Sequence, residues 1–486
     1  MKQKSAVTYT VFRVLFIILA IVGASFVIPV LTAVACGEYS VLPSFIIPMA
    51  LSLFLGLVFL LAKGKQKAKL TVRASFVVVA VAWIGSSIFG AIPLYASGAI
   101  PNMTDAVFES VSGFTTTGAT ILSEIETLPR SINMWRCLTH WLGGMGIVAL
   151  TVALLPILGI GGFQLIKAET TGPEKGKFTP RITTTAKILW FIYLGMTLLE
   201  TVLLKIAGMD FIDALSHSFS TLGTGGFSTR NESIASYNSA AIDWICFTFM
   251  FLSGINFSLY FYIFARHFSE LKNNSELKAY LALNIAAITL MTIFEMKNYG
   301  GVLNSLRFSS FQVATILSTT GFATSDFTLW SPASQAIVLM LLFIGGSSGS
   351  TSGGIKVVRW IIFHKVLKNE VQKMIHPHGI FSIRLNQQTA RKEVISTVTA
   401  FMALYFILLI TTTFYGTVFG MDVFTSFTGA ASMIGNVGPG FGSLGPSCNY
   451  GWLATPVKWF YCFAMLAGRL ELFTMFVFLT PSFWKK

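Results

Sequence analysis

Charge is what this sequence has least of. Of 486 residues only 11% are Asp, Glu, Lys or Arg, against roughly a quarter in soluble domains, and so poorly charged a chain is not a soluble fold. Histidine numbers six, and the five cysteines (Cys36, Cys137, Cys246, Cys448, Cys462) show no C-x-x-C spacing and no neighbouring histidine. That pattern indicates neither a metal site nor a disulfide framework; the thiols read as lipid-facing or packed. What is abundant is apolar bulk. A hydrophobic share of 54%, with 44 Phe and 10 Trp, excludes disorder, collagen-like repeats and nucleic-acid binding despite a net charge of +14. The chain reads as an all-α polytopic membrane protein.

A spanning helix needs about 20 apolar residues, and uninterrupted apolar stretches place spans near 11–35, 42–62, 74–95, 137–160, 186–207, 241–265, 279–296, 333–372 with a break inside it, 394–416 and 453–480. The first is too long for a signal-peptide core and a second span follows directly, so no cleavage is expected. Basic residues set the orientation. With the N-terminus inside, the inner segments hold 3 (up to Arg13), 5 (63–73), 5 (159–187), 3 (266–278), 8 (356–392) and 2 (Lys485, Lys486), which is 26 of the 34 Lys and Arg. Both termini are then cytoplasmic. Acidic residues show the opposite bias: Glu38, Asp105, Glu109, Glu124, Glu126, Asp210, Asp213, Glu232, Asp243, Asp326 and Asp422 fall on the outer side. This suggests either an acidic vestibule that concentrates cations or ordinary loop decoration.

Four outer connections carry a semi-apolar helical stretch followed by a Thr/Gly-rich segment: DAVFESVSGFTTTGAT (105–120), DALSHSFSTLGTGGFST (213–229), FSSFQVATILSTTGFATSDF (308–327) and DVFTSFTGAASMIGNVGPGFGS (422–443). Alignment on the glycine after the polar run superposes Gly118, Gly225, Gly321 and Gly438, a repeat of about a hundred residues. Each unit comprises a span, a re-entrant half-length helix, an extended loop and a second span. The expected division is two accessory spans in 1–71, then repeats in 72–165, 166–270, 271–385 and 386–486. Non-helical backbone at membrane depth is tolerated only where it is buried in protein or lines a watery cavity, so four such loops imply one shared cavity. Around a pseudo-fourfold axis their carbonyl oxygens could replace the hydration shell of a monovalent cation. The negative C-terminal ends of the half-helices would favour that cation.

With TTTGAT, GTGGFST, STTGFAT and GNVGPGFG as its loops, and THWLGGMGIV (139–148), GGSSGSTSGGIKVVR (345–359) and AGRLELF (467–473) flanking them, the chain resembles the Trk/Ktr/HKT superfamily of potassium transporters over nearly its whole length. The two extra N-terminal spans fit the bacterial Trk branch of the TrkH/TrkG type better than the KtrB type. The resemblance implies a filter of backbone carbonyls from Thr116, Thr117 and Gly118; Gly223, Thr224 and Gly225; Thr319, Thr320 and Gly321; and Asn436, Val437 and Gly438. Only one glycine aligns across all four loops, which implies weaker discrimination among potassium, rubidium and sodium than a two-glycine TVGYG filter gives. Val437 departs from the Thr expected at its position.

The stretch 345–354, with glycines at 345, 346, 349, 353 and 354 and no apolar side chain, cannot continue a helix comfortably at about 1 kcal/mol per glycine. The resemblance implies a gate beneath the filter; the alternative is an inert helix break. A phosphate loop is excluded because no Lys-Ser or Lys-Thr follows the glycines at the required spacing. Arg469 lies in mid-span, where a cation costs roughly 2.5–3.5 kcal/mol. The family places it on the permeation axis as an electrostatic barrier; the alternative is an arginine tied to backbone carbonyls between helices. Glu471, two residues on, points to another face. His140 and the GGMG of 143–146 read as a close-packing surface, Glu200 is undecided between vestibule and inter-repeat contact, and the basic loop around His376 and His378 suits a partner protein or anionic lipid.

The resemblance further implies a homodimer on a cytosolic nucleotide-binding ring of the TrkA type, in the bacterial cytoplasmic membrane. Potassium is the transported ligand, no cofactor is bound and nucleotide binds only the partner. A sodium-coupled Ktr-like transporter is the nearest alternative, discriminated by dependence on external sodium. A membrane-embedded enzyme would need paired Asp, H-E-x-x-H or a Ser/His pair, and no span offers one. A scaffold for the regulator alone would conduct no ions.

Overall fold

The computed structural model describes residues 2–61, 72–146, 182–379, 381–386, 388–389 and 392–484. The inner half of the span expected at 137–160, the basic residues of 63–71 and 159–181, and Lys485 and Lys486 lie outside these. The described chain opens with α1 (Lys2–Ser25), α2 (Val27–Cys36) and α3 (Leu42–Leu61), after which one pattern recurs four times. A long helix is followed by a short helix, a non-helical loop and a second helix. The copies are α4 (Val72–Ala96), α5 (Met103–Phe114) and α6 (Arg130–Gly144); α7 (Ile182–Ile206), α8 (Phe211–Gly223) and α9 (Ala240–Ser253) with α10 (Phe257–Phe264); α11 (Ser275–Glu295), α12 (Val302–Leu317) and α13 (Pro332–Leu341) with α14 (Val357–Ile375); and α15 (Lys392–Val418), α16 (Val423–Gly435) and α17 (Thr455–Arg469). A two-residue ladder, Arg384–Leu385 with Gln388–Thr389, is the one sheet among the described residues.

Among the described residues six helices are long and apolar enough to cross a membrane, and up to eight spans result if each sharply bent pair counts as one. The bends correct the expectation of unbroken spans at 241–265 and 453–480. α9 meets α10 at 93°, and α17 meets Phe473–Leu479 at 116°. At the first bend Gly254 and Ile255 leave the helix and Asn256 caps the next one, its Oδ1 accepting from Ser258 N at 2.9 Å. At the second, Glu471 and Leu472 take φ of 61° and 52°, a region that breaks a right-handed helix whatever the side chain. The second helices of the second and fourth copies therefore end at these bends, and Arg469 is the last residue of a helix rather than the middle of one.

Within each copy the long helix packs on its short one: α4 on α5, α7 on α8, α11 on α12 and α15 on α16. Between copies the second helix packs on the next short helix, α6 on α8, α9 on α12 and α17 back on α5. The third and fourth copies meet through Phe343 and Phe427, ring centroids 6.0 Å apart. The four units therefore close into a ring. α1 and α2 lie against the first unit, and Glu38 between α2 and α3 accepts from Arg130 N and Ser131 N at 2.6 and 3.0 Å, supplying the N-terminal cap that α6 lacks in its own sequence.

Candidate functional site

The short helices end alike. In each, one residue takes a left-handed conformation without being glycine: Thr116 (φ 56°), Thr224 (55°), Thr319 (56°) and Asn436 (54°). The amide of the next residue then reaches back to the carbonyl five positions earlier, Thr117 to Ser112 at 2.9 Å, Gly225 to Ser220 at 2.9 Å, Thr320 to Thr315 at 2.8 Å and Val437 to Ser432 at 3.0 Å. This is a Schellman-type cap built four times. A left-handed glycine follows each, namely Gly118 (φ 78°), Gly226 (81°), Gly321 (84°) and Gly438 (100°).

These contacts correct the register of the second loop. The residues equivalent to Thr116–Gly118 are Thr224, Gly225 and Gly226, while Gly223, expected among the ligands, is the last helical residue of α8. The doublet Gly225-Gly226 made alignment on one glycine ambiguous. Two signals resolve it in the sequence: a Ser or Thr six residues before the glycine (Ser112, Ser220, Thr315, Ser432) and a phenylalanine directly after it in loops two and three (Phe227, Phe322). The position before the glycine is then Thr117, Gly225, Thr320 and Val437, so a hydroxyl is available there in two loops, not three.

The loops touch in cyclic order. A Cβ on Gly118 would overlap the Gly225 carbonyl; one on Gly226, the Thr320 carbonyl; one on Gly321, the Val437 carbonyl; and one on Gly438 would meet the Thr117 carbonyl at 2.6 Å. Each glycine thus gives room to the backbone of the adjoining loop, and substitution is blocked twice, by φ and by space. The C-terminal ends of four helices converge on this ring.

Behind the ring stand polar groups that sequence reasoning underrated. Arg136 and Glu109, 1% and 0% exposed at their side chains, pair at 2.7 Å; Glu109 Oε2 also accepts from Ile121 N at 3.0 Å, and the guanidinium lies 4.3 Å from the Phe227 ring centroid. His140 accepts at Nε2 from Phe227 N (3.1 Å) and therefore donates from Nδ1 to Gly113 O (2.7 Å), linking the second loop to α5. Glu200, on α7, is fully buried and not open to a vestibule. The outer acids are mostly matched to cations: Asp105 with Lys458, Asp210 with Arg130, Asp213 and Glu126 with Arg230, Asp243 with Arg307, besides Glu109 with Arg136. The bland reading of that acidic bias is the one the geometry favours.

The Gly/Ser/Thr stretch lies between α13 and α14 as irregular backbone. Gly345, Gly346 and Gly353 are buried, Gly354 is half-buried and Gly349 exposed; Gly349 and Gly354 have φ of 74° and 66°. Gly353 N donates to Thr319 Oγ1 at 2.7 Å, and a Cβ on Gly353 would meet Asn436 Cβ at 2.8 Å. The segment therefore abuts the ring at loops three and four. Glu276 on α11 accepts from Ser348 N (2.7 Å) and Val358 N (3.0 Å), fastening both ends of the segment. Arg469 donates from Nη1 to Thr351 O (2.7 Å) and from Nη2 to Gly143 O and Gly144 O (2.7 and 2.8 Å), joining the segment to the end of α6. Glu471 is engaged by Arg359 instead.

The fold as a whole is matched among known proteins. The family model described as "TrkH: Cation transport protein" matches residues 42–298 and 301–486. The chain belongs to the TrkH family. It is similar to the Trk system potassium uptake protein TrkH of Halomonas elongata, 37% identical over 482 residues covering 98% of this chain and 99% of that one. The TrkH of Escherichia coli strain K12 is 36% identical over 428 residues, 87% and 88% of the two chains. The crystal structure of the potassium transporter TrkH from Vibrio parahaemolyticus superposes with a TM-score of 0.86 at 32% identity, covering 98% of this chain and all of that one. As a member of the TrkH family the chain is a multi-pass membrane transporter and not an enzyme.

Proposed function

We propose that this chain is the pore of a potassium-uptake system. Potassium sheds its water in the ring of Thr116–Gly118, Thr224–Gly226, Thr319–Gly321 and Asn436–Gly438, and passes inward when the segment 345–354, held by Arg469, moves aside. The observation that supports this most is the cyclic contact of four left-handed glycines with neighbouring carbonyls, since backbone oxygen crowded about one centre is what a weakly hydrated monovalent cation needs. The family relatives named as potassium uptake proteins support the choice of ion. Membrane potential supplies about 2.3 kcal/mol per charge per 100 mV, sufficient without a coupled ion.

The remaining parts of the proposal follow from family resemblance and charge. The repeats occupy 72–165, 166–270, 271–385 and 386–486 after two accessory spans in 1–71. The chain forms a homodimer in the bacterial cytoplasmic membrane with both termini inside, and a TrkA-type nucleotide-binding ring opens the gate from the basic cytoplasmic face. Reconstitution with and without that ring, measuring rubidium flux under defined gradients, tests it. Flux that requires sodium on the same side would replace it with a sodium-coupled transporter, and absence of flux under all conditions would reject it.

A further inference from the structure

The ring is closed by sequence between loops one to four, but between the fourth and the first it must be closed by contact alone. Tyr450 stands at that seam. It lies twelve residues beyond Gly438 on the way to α17 and is 3% exposed, with its ring centroid 5.9 Å from Phe108 of α5 and 6.3 Å from Tyr461 of α17. Its amide donates to Thr120 O of the first loop at 2.8 Å. Its hydroxyl donates to Gly438 O of the fourth loop at 2.6 Å. One residue thus grips the backbone of both loops, two residues beyond the glycine in one and at the glycine itself in the other.

The carbonyl so held has no equal. Among the described residues no hydrogen bond to the Gly118, Gly226 or Gly321 carbonyl is present, whereas Gly438 O has one lone pair committed to a buried hydroxyl. The fourth loop also departs from the others in φ, 100° against 78–84°, and in having Val437 before its glycine. A short bond from a rigid, close-packed donor fixes the direction of an acceptor more firmly than packing alone does, because the phenol ring cannot follow a rotating peptide.

On the proposed filter reading, we infer that Tyr450 is a specificity-determining positioning residue: its hydroxyl fixes the direction of the Gly438 carbonyl and so the size of the cation the ring accepts. With the hydroxyl gone, the Gly438 peptide turns more freely, the ring contracts around a smaller ion, and sodium competes better. The aromatic packing of the seam is retained, since phenylalanine keeps the ring against Phe108 and Tyr461.

The test is the sodium-to-rubidium flux ratio of reconstituted Tyr450→Phe, normalised to inserted protein, with Tyr461→Phe as control; Tyr461 is equally buried, and its hydroxyl has only a 3.9 Å contact with Met421 Sδ. The expected result is a ratio raised roughly two- to tenfold in Tyr450→Phe, the span one hydrogen bond carries, and unchanged in Tyr461→Phe. Replacement of Tyr450 by 3-fluorotyrosine, a stronger donor of nearly the same shape, should move the ratio the other way and keeps the question open to measurement if Tyr450→Phe inserts poorly. A merely structural tyrosine would lower both fluxes together at constant ratio, and that outcome overturns the inference. Gly321→Leu separates the two levels: rubidium flux that survives it removes the filter reading itself, while flux that is lost there alongside an unchanged Tyr450→Phe ratio removes only the role of Tyr450.

Discussion

At Thr116, Thr224, Thr319 and Asn436 a Cβ in the left-handed region costs roughly 1–2 kcal/mol, yet no glycine is used. The side chains explain the choice at three of them. Thr319 Oγ1 accepts from Gly353 N, Thr224 Oγ1 donates to Gly223 O at 2.6 Å, and Asn436 Nδ2 donates to Thr117 Oγ1 and Met465 O, both at 3.0 Å. Strain of this kind persists where surroundings over-determine it. Asn436→Gly should therefore lower stability by about 1–3 kcal/mol through two lost buried bonds although it relaxes the backbone, and thermal unfolding of the purified protein reads this directly; a raised midpoint would show that strain dominates. At the glycines no compensation exists. Gly118→Leu, Gly226→Leu and Gly321→Leu should each abolish rubidium flux with insertion intact, and Gly226→Ser should admit more sodium. Uptake retained in Gly226→Leu would return the register to Gly225.

Long apolar runs made the helices legible, since burial in a bilayer leaves little choice of conformation, and the polar run at 345–354 announced its own break. The breaks at 254–256 and 470–472 were not legible. Leu470 and Leu472 are as apolar as any span residue, and what turns the chain there is the tie of Glu471 to Arg359, far away in sequence. Arg469 shows the same limit. Its identity flagged it, but its partners are carbonyls of residues 118 and more than 320 positions distant, which no spacing rule reports. Those partners change what its replacement should do. A pure electrostatic barrier on the axis would be preserved by Arg469→Lys. A fork that joins Thr351 to Gly143 and Gly144 is lost, because an ammonium cannot span two elements with planar geometry. Each charge-assisted bond carries roughly 1.5–3 kcal/mol, so the closed position of the segment is weakened by a comparable amount. Arg469→Ala, Arg469→Gln and Arg469→Lys should all raise rubidium uptake per inserted molecule, Lys least. Wild-type uptake in Arg469→Lys with faster uptake in the other two would establish the barrier instead.

For the molecule as a whole, the acidic bias of the outer side invites a picture of electrostatic funnelling, and the ion pairs argue against it. Six of the eleven outer acids face an arginine or lysine within 4 Å, while Glu38, Asp326 and Asp422 accept from backbone amides at helix starts. Glu124 and Glu232 remain exposed. A paired acid presents a dipole to an approaching ion, and a dipole's field dies away faster than a charge's. An exposed carboxylate about 10 Å from the entrance contributes roughly 0.4 kcal/mol in water, cut to about a third by screening at physiological salt. Two of them amount to less than a twofold gain in local potassium. Glu124→Gln with Glu232→Gln should accordingly leave the KM for rubidium within about twofold of wild type, and lowering ionic strength at constant osmolarity should change uptake equally little in both proteins. The same acids matter structurally: Glu109→Gln leaves Arg136 charged and buried without its counter-ion, at a cost of about 3–5 kcal/mol, and should reduce the amount of folded protein sharply. If instead the exposed pair raised KM fivefold or more on neutralisation, with uptake steeply dependent on ionic strength, the outer face would be an attracting vestibule after all and the ion pairs only its scaffolding.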